Sequence, residues 1–134
     1  MADKEAIREL LHRYCFCMDE GRFDEFAALF AQDGEWIAPY RTAVGPPDIA
    51  AWLKQSVPAS PRRVHYVMNS IIDCDGANAT ARSNYLVMVE GPNGPVPSVC
   101  GTYDDVLIRR ADGWRFRRRR LIHAFKGDLA LHLP

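Results

Sequence analysis

The sequence predicts an α+β fold in which N-terminal helices cover one face of a curved antiparallel sheet. In the first half of the chain, apolar residues recur at i, i+3, i+4 and i+7, which is the spacing of an amphipathic helix. In the second half, apolar and polar residues alternate between turn signals, which is typical of strands joined as hairpins. Helices followed by a meander indicate an α+β architecture, with a sheet of about four to six strands in all. Such a sheet and its helices would enclose a cone that is open at one end.

Three helices are predicted in the first half. The first runs from Ala2 to Met18 and is ended by Gly21. A short aromatic helix follows over Phe23 to Ala31. The third begins at Pro46-Pro47, because proline is tolerated in the first turn of a helix, and ends before Pro58.

The remaining segments predict one short strand and four longer ones. They cover Glu35 to Pro39, Val64 to Cys74, Ala79 to Glu90, Val99 to Arg109 and Trp114 to Phe125. Asp75-Gly76, Asp112-Gly113 and a longer Gly91 to Pro95 segment separate the last four strands, so consecutive antiparallel hairpins are expected. Alternation puts His65, Val67 and Asn69 on one face of their strand.

Composition narrows the class of protein. The 134 residues fit a single domain over residues 1–134, and a net charge of zero gives no reason to expect a nucleic-acid or membrane partner. The polar start of the chain and the lack of a long apolar run predict a cytoplasmic protein without a leader. The four cysteines form no C-x-x-C and the four histidines no H-x-x-x-H, so no metal is predicted. No cofactor motif is present, and no cofactor is expected.

Asp19 is the residue that most needs an explanation. It follows the apolar stripe of the first predicted helix and therefore lies at a helix C-terminus. The helix dipole favours cations there and disfavours a carboxylate. Asp19 is therefore expected to have a partner or a function.

The order of elements resembles the SnoaL-like family of the NTF2-like superfamily. The residues that carry the resemblance are Leu11-His12-Arg13-Tyr14, Met18 to Asp24, Leu29 to Trp36, Gly45, His65 to Asn69, Gly101 to Asp105, Gly113 to Phe116, Arg119 and His123. Members include scytalone dehydratase, hexachlorocyclohexane dehydrochlorinase, ketosteroid isomerase, polyketide cyclases and the small subunits of ring-hydroxylating dioxygenases. The resemblance implies a cone-shaped α+β fold, and it is specific for fold rather than for substrate.

The dehydratase and dehydrochlorinase branch is the most similar in pattern. There, an acid at the end of the first helix pairs with a histidine on the strand after the third helix, and Asp19 and His65 match those positions. The dehydrochlorinase also uses an arginine on the last strand, and Arg119 matches it. The dehydrochlorinase lysine before the acid has no counterpart, because Tyr14 and Cys15 stand nearby.

These matches imply catalytic roles for Asp19, His65 and Arg119. The last strand carries five arginines, which alternation divides between its two faces, and a β-bulge would change which one turns inward. Further pocket residues would bind substrate: Tyr14, Trp36, Trp52, Asn69, Tyr85, Tyr103 and His123. The alternative for the aromatic residues is a purely structural place in the core.

The expected function is that of a cofactor-independent lyase or isomerase acting on a small apolar, aromatic or polyketide-like molecule. Asp19 would orient His65, which would remove a proton from a substrate carbon. The alternative is a non-catalytic ligand-binding or assembly module related to the dioxygenase small subunits. Arginines and apolar residues on the outer face of the sheet suggest a homodimer or homotrimer, and the sequence does not choose between them.

Overall fold

The computed structural model describes residues 2–126 and confirms the α+β class. Helix α1 spans Ala2–Asp19, α2 spans Phe23–Ala27 and α3 spans Pro46–Ser56. Gly21 ends α1 as predicted: its φ is 70°, a conformation that glycine adopts without steric cost. The amide of Arg22 then donates to the carbonyl of Cys17 at 2.9 Å and closes the last turn.

Helix α2 is shorter than predicted because the chain enters the sheet early. The carbonyl of Leu29 accepts a hydrogen bond from the amide of Phe116 at 2.9 Å, and the first strand begins at Phe30. The predicted helical face of Phe23, Phe26 and Phe30 is therefore shared between α2 and this strand. Phe26 and Phe30 still pack together, with ring centroids 5.7 Å apart.

Within residues 2–126, six strands form one sheet in the order β2-β1-β6-β5-β4-β3. Their bounds are β1 Phe30–Ala38, β2 Arg41–Val44, β3 Arg63–Asp75, β4 Asn78–Gly91, β5 Gly94–Arg110 and β6 Gly113–Lys126. Strands β3 to β6 pair antiparallel in chain order, which is the predicted meander. Because β4 and β5 join through a tight turn in which Gly91 pairs with Gly94, the predicted longer turn is wrong.

The other edge of the sheet also corrects the prediction. β2 was not predicted, and β1 pairs with β6 in parallel, with Trp36 opposite Arg119. The antiparallel pairing therefore holds for β3 to β6, and β1 joins the sheet in parallel. Parallel pairing joins strands that are distant in the chain, so no turn motif in the sequence predicts it.

Register shifts curve the sheet around the helices. They occur between Val67 and Ser70 in β3, between Val87 and Met88 in β4, and at Cys100/Gly101 in β5. Bulges of this kind bend a strand and increase its twist. The concave face carries the buried side chains and packs against α1, whereas the convex face is exposed.

In residues 2–126, no helix is long and apolar enough to span a membrane.

Candidate active site

A cavity of about 120 Å³ lies on the concave face of the sheet. Its wall is largely aromatic and apolar, with a few polar side chains. The lining residues are Tyr14, Met18, Trp36, Tyr40, Trp52, Val57, Arg63, His65, Tyr85, Val87, Ser98, Val99, Tyr103, Leu121, His123 and Lys126. A dry protein cavity of about 150 Å³ accommodates benzene, so this space suits a molecule with about one ring.

His65 lines the cavity and is in direct contact with Asp19, which is not a lining residue. Oδ1 of Asp19 lies 2.6 Å from Nδ1 of the His65 ring, and Oδ2 accepts the backbone amide of His65 at 2.8 Å. Only 14% of the Asp19 side chain and 12% of the His65 side chain are exposed. Both oxygens of the Asp19 carboxylate therefore accept hydrogen bonds from His65, and this holds the His65 ring in a single orientation.

The local fold explains how the two residues meet. His65 lies on β3, the edge strand of the sheet, and an edge strand leaves outward-facing amides without a sheet partner. Asp19 ends α1 beside that edge and accepts the free amide of His65. The unfavourable place of a carboxylate at a helix C-terminus is thereby compensated by two hydrogen bonds from β3.

Three further polar residues line the cavity, and each has a buried polar atom. Within residues 2–126, the hydroxyls of Tyr85 and Ser98 and Nδ1 of His123 are buried without a hydrogen-bond partner. Burial raises the pKa of Tyr85 well above its usual range, so its hydroxyl stays protonated and can donate. Burial, followed by the charge of Lys126, lowers the pKa of His123. These atoms could form hydrogen bonds with a polar ligand.

Arg63 also lines the cavity, although it was not a predicted site residue. It is half-buried, and its Nε and Nη2 have no hydrogen-bond partner within the described residues. Burial lowers its pKa, although the nearby Asp19 opposes that effect. The available signal was alternation, because Arg63 precedes His65 by two positions and so shares its strand face.

Arg119 is fully buried in an ion pair instead of lining the cavity. Its Nε and Nη2 donate to the two carboxylate oxygens of Asp105 at 2.7 and 2.8 Å. The guanidinium carbon also lies 4.2 Å from the ring centroid of Tyr14 and 3.9 Å from that of Tyr103. Burial disfavours the charged guanidinium, but Asp105 outweighs it and the pKa of Arg119 is raised. Arg119 is therefore not a lining residue itself, but it packs against two that are, Tyr14 and Tyr103.

Six of the seven predicted substrate-binding residues line the cavity, and Asn69 does not. The six are Tyr14, Trp36, Trp52, Tyr85, Tyr103 and His123. The shared face predicted for His65 and Asn69 is wrong, because the register shift between Val67 and Ser70 interrupts the alternation. The exposed Asn69 side chain accepts a hydrogen bond from Nδ2 of Asn84 at 3.1 Å.

Most of this chain matches a known family model and a protein of 32% identity. Residues 1–120 match the sequence model of the SnoaL-like domain. An uncharacterized protein of Mycobacterium tuberculosis is 32% identical over 125 residues, which cover 89% of this chain and 84% of that protein.

Solved structures show the same fold. An NTF2-like protein with a cystatin-like fold from Novosphingobium aromaticivorans superposes with a TM-score of 0.86 at 25% identity, over 98% of this chain and 88% of that one. A candidate scytalone dehydratase from the same organism superposes with a TM-score of 0.80 at 25% identity, over 95% of this chain and 87% of that one. Both similarities extend through the elements that carry Asp19 and His65 here.

Proposed function

This chain belongs to the SnoaL-like domain family, and we propose that it is a cofactor-independent lyase or isomerase that removes a proton from a carbon of a small, largely apolar molecule. The observation that supports the proposal is the 2.6 Å contact between Asp19 and the His65 ring at the wall of an aromatic cavity. The cavity volume favours a substrate with about one ring.

In this proposal, His65 is the base and Asp19 orients it. Because Nδ1 of His65 faces the Asp19 carboxylate, that nitrogen carries the proton and Nε2 keeps its lone pair. Nε2 takes the proton from the substrate carbon, and Asp19 stabilises the positive charge that then forms on the ring. The apolar wall strengthens this interaction because it excludes water.

A donor must also stabilise the negative charge that develops on the substrate. Tyr85 fits this role, since it is a lining residue and its protonated hydroxyl has no protein partner in the described chain. Arg119 acts as a positioning residue in this proposal. Its guanidinium packs against the rings of Tyr14 and Tyr103 and holds them in place, and it does not touch the substrate.

Deuterium incorporation tests the proton abstraction even while the natural substrate is unidentified. The protein is incubated in D₂O with a panel of small cyclic ketones, hydroxyketones and aromatic acids, and carbon-bound deuterium is measured by mass spectrometry. His65→Gln and Asp19→Asn should lower the exchange rate by about 10²- to 10⁴-fold. Asp24→Asn is the matched control, because Asp24 is an exposed acid paired with Lys54.

The result also separates the proposal from the non-catalytic alternative. Ligands that bind in the cavity but never exchange a proton would identify a binding module. Exchange that survives His65→Gln in a folded protein would remove the Asp19–His65 pair from the mechanism.

We further propose that the chain forms a homodimer or homotrimer through the convex face of its sheet. Val64, Tyr66, Met68 and Ile71 of β3 are all exposed there. An exposed apolar patch of this kind commonly marks an interaction surface. Sedimentation velocity should show an oligomer that Tyr66→Glu weakens, and a wild-type monomer at all concentrations would contradict the proposal.

A further inference from the structure

The cavity is biased toward positive charge in a protein whose net charge is zero. Arg63 and Lys126 line it together with two histidines, and no aspartate or glutamate of the described chain does so. Asp19 is nearby, but it is not one of the lining residues, and each of its carboxylate oxygens accepts a hydrogen bond from His65. A bound anion would therefore meet cationic partners that no acidic side chain of the lining competes for.

Arg63 differs from its neighbour and from the buried arginine of the core. Arg62 faces Glu90, and Arg119 is paired with Asp105. Arg63 takes part in no ion pair with another described residue, and its Nε and Nη2 are the unpartnered atoms. A buried guanidinium edge without an acceptor is costly, and a ligand that supplies the acceptor removes that cost.

The Nε and Nη2 edge of the Arg119 guanidinium shows which ligand group would fit the same edge of Arg63. Nε and Nη2 of Arg119 hold the two oxygens of one carboxylate, at 2.7 and 2.8 Å. These two donors point in parallel and match a planar pair of oxygens. The corresponding edge of Arg63 belongs to a side chain of the cavity wall. Two parallel donors match the two oxygens of a monoanionic carboxylate, whereas a phosphate dianion presents three oxygens and calls for more donors.

We propose that the cavity selects a small cyclic or aromatic carboxylic acid, whose carboxylate is bound by Nε and Nη2 of Arg63. Arg63 and His65 are two residues apart on one strand face, or about 6.6 Å along the strand. The carbon that His65 would deprotonate therefore lies close to the carboxylate. This last point rests on the proposed function, whereas the binding of the acid does not.

Isothermal titration of the full chain with benzoate, benzamide and phenyl phosphate tests the inference. Wild type should bind benzoate at least about tenfold more tightly than benzamide, and more tightly than phenyl phosphate. Arg63→Met should remove the preference for benzoate over benzamide. Arg62→Gln is the matched control, because Arg62 is exposed and faces Glu90, and it should keep the preference.

Two further variants make the outcome decisive. If Arg63→Met fails to fold, as judged by circular dichroism, Arg63→Lys keeps the charge but loses the two parallel donors and should reduce the preference. His65→Gln should abolish proton exchange yet retain the preference for benzoate, so a failure of catalysis is distinguishable from a failure of this inference. Equal binding of benzoate and benzamide by wild type, tighter binding of phenyl phosphate, or a preference that survives both Arg63 variants would overturn it.

Discussion

Removing either partner of the buried Arg119–Asp105 pair should destabilise the protein strongly. Both side chains are 0% exposed, and two hydrogen bonds join them. Arg119→Met leaves the Asp105 carboxylate buried without its cation, and Asp105→Leu leaves the guanidinium among aromatic rings without its anion. Breaking such a pair costs about 3–5 kcal/mol, a large part of the roughly 5–15 kcal/mol that holds a domain folded.

The double variant is the informative comparison. Arg119→Met combined with Asp105→Leu removes both charges and replaces them with apolar side chains. Such replacements are often close to neutral, so the double variant should recover most of the loss seen in each single variant. The free energies of unfolding from urea titrations then give a coupling energy of at least about 2 kcal/mol.

An exposed ion pair of the same length provides the control. Nζ of Lys54 lies 2.8 Å from Oδ1 of Asp24, and both side chains are more than half exposed. Asp24→Asn should leave the urea midpoint nearly unchanged, because water screens that pair. The reasoning about burial is refuted if the Arg119 and Asp105 single variants are as mild as Asp24→Asn, or if the double variant loses the sum of the two single effects.

Three other predictions follow from the cavity wall and the sheet that forms it. Tyr85→Phe removes a buried hydroxyl that has no partner among residues 2–126. The urea midpoint should therefore stay unchanged or rise, while the affinity for oxygen-bearing ligands should fall. An unchanged affinity would exclude Tyr85 from binding. A Cβ at Gly101 would collide with the backbone carbonyl of Ile122. Gly101→Ala should therefore lower the melting temperature far more than Gly76→Ala, where the space is open and only the positive φ of 61° strains an alanine; equal losses would contradict the close approach. Burial and Lys126 lower the pKa of His123, so the unfolded chain binds a proton first as the pH falls below about 6.5. Stability should therefore decline from that pH toward acid, and His123→Asn should flatten the decline in urea midpoints measured between pH 7 and pH 5, whereas an unchanged slope would refute the role of His123.

Local signals account for the parts of the fold that were predicted well. α1 ends within one residue of the prediction because its apolar periodicity is long and Gly21 stops it. The two Asp-Gly turns flank the ends of β3 and β5 and the starts of β4 and β6, and each of these four bounds lies one residue from its predicted position. β2 has four residues and only one buried side chain, which is too little for a pattern to show.

Distant contacts account for most of what was missed in the site. The Asp19 and His65 pairing was inferred from family resemblance, since nothing local links the end of a helix to a strand 46 residues later. Asn69 was misplaced because a bulge changes the face of a strand without a clear sequence signal. The pairing of Arg119 with Asp105 depends on the register between β5 and β6, which alternation alone does not define.

The parallel pairing of β1 with β6 has a consequence for synthesis on the ribosome. Phe30 pairs with Phe116, 86 positions later, and Trp36 pairs with Arg119. β1 emerges early but has no partner on that side until β6 has been made, because chains are synthesised from the N-terminus. Until then, the apolar side chains of Phe30 and Trp36 depend on the helices for cover. The nascent chain should therefore complete its cavity only near the end of translation, and chains truncated before β6 should aggregate.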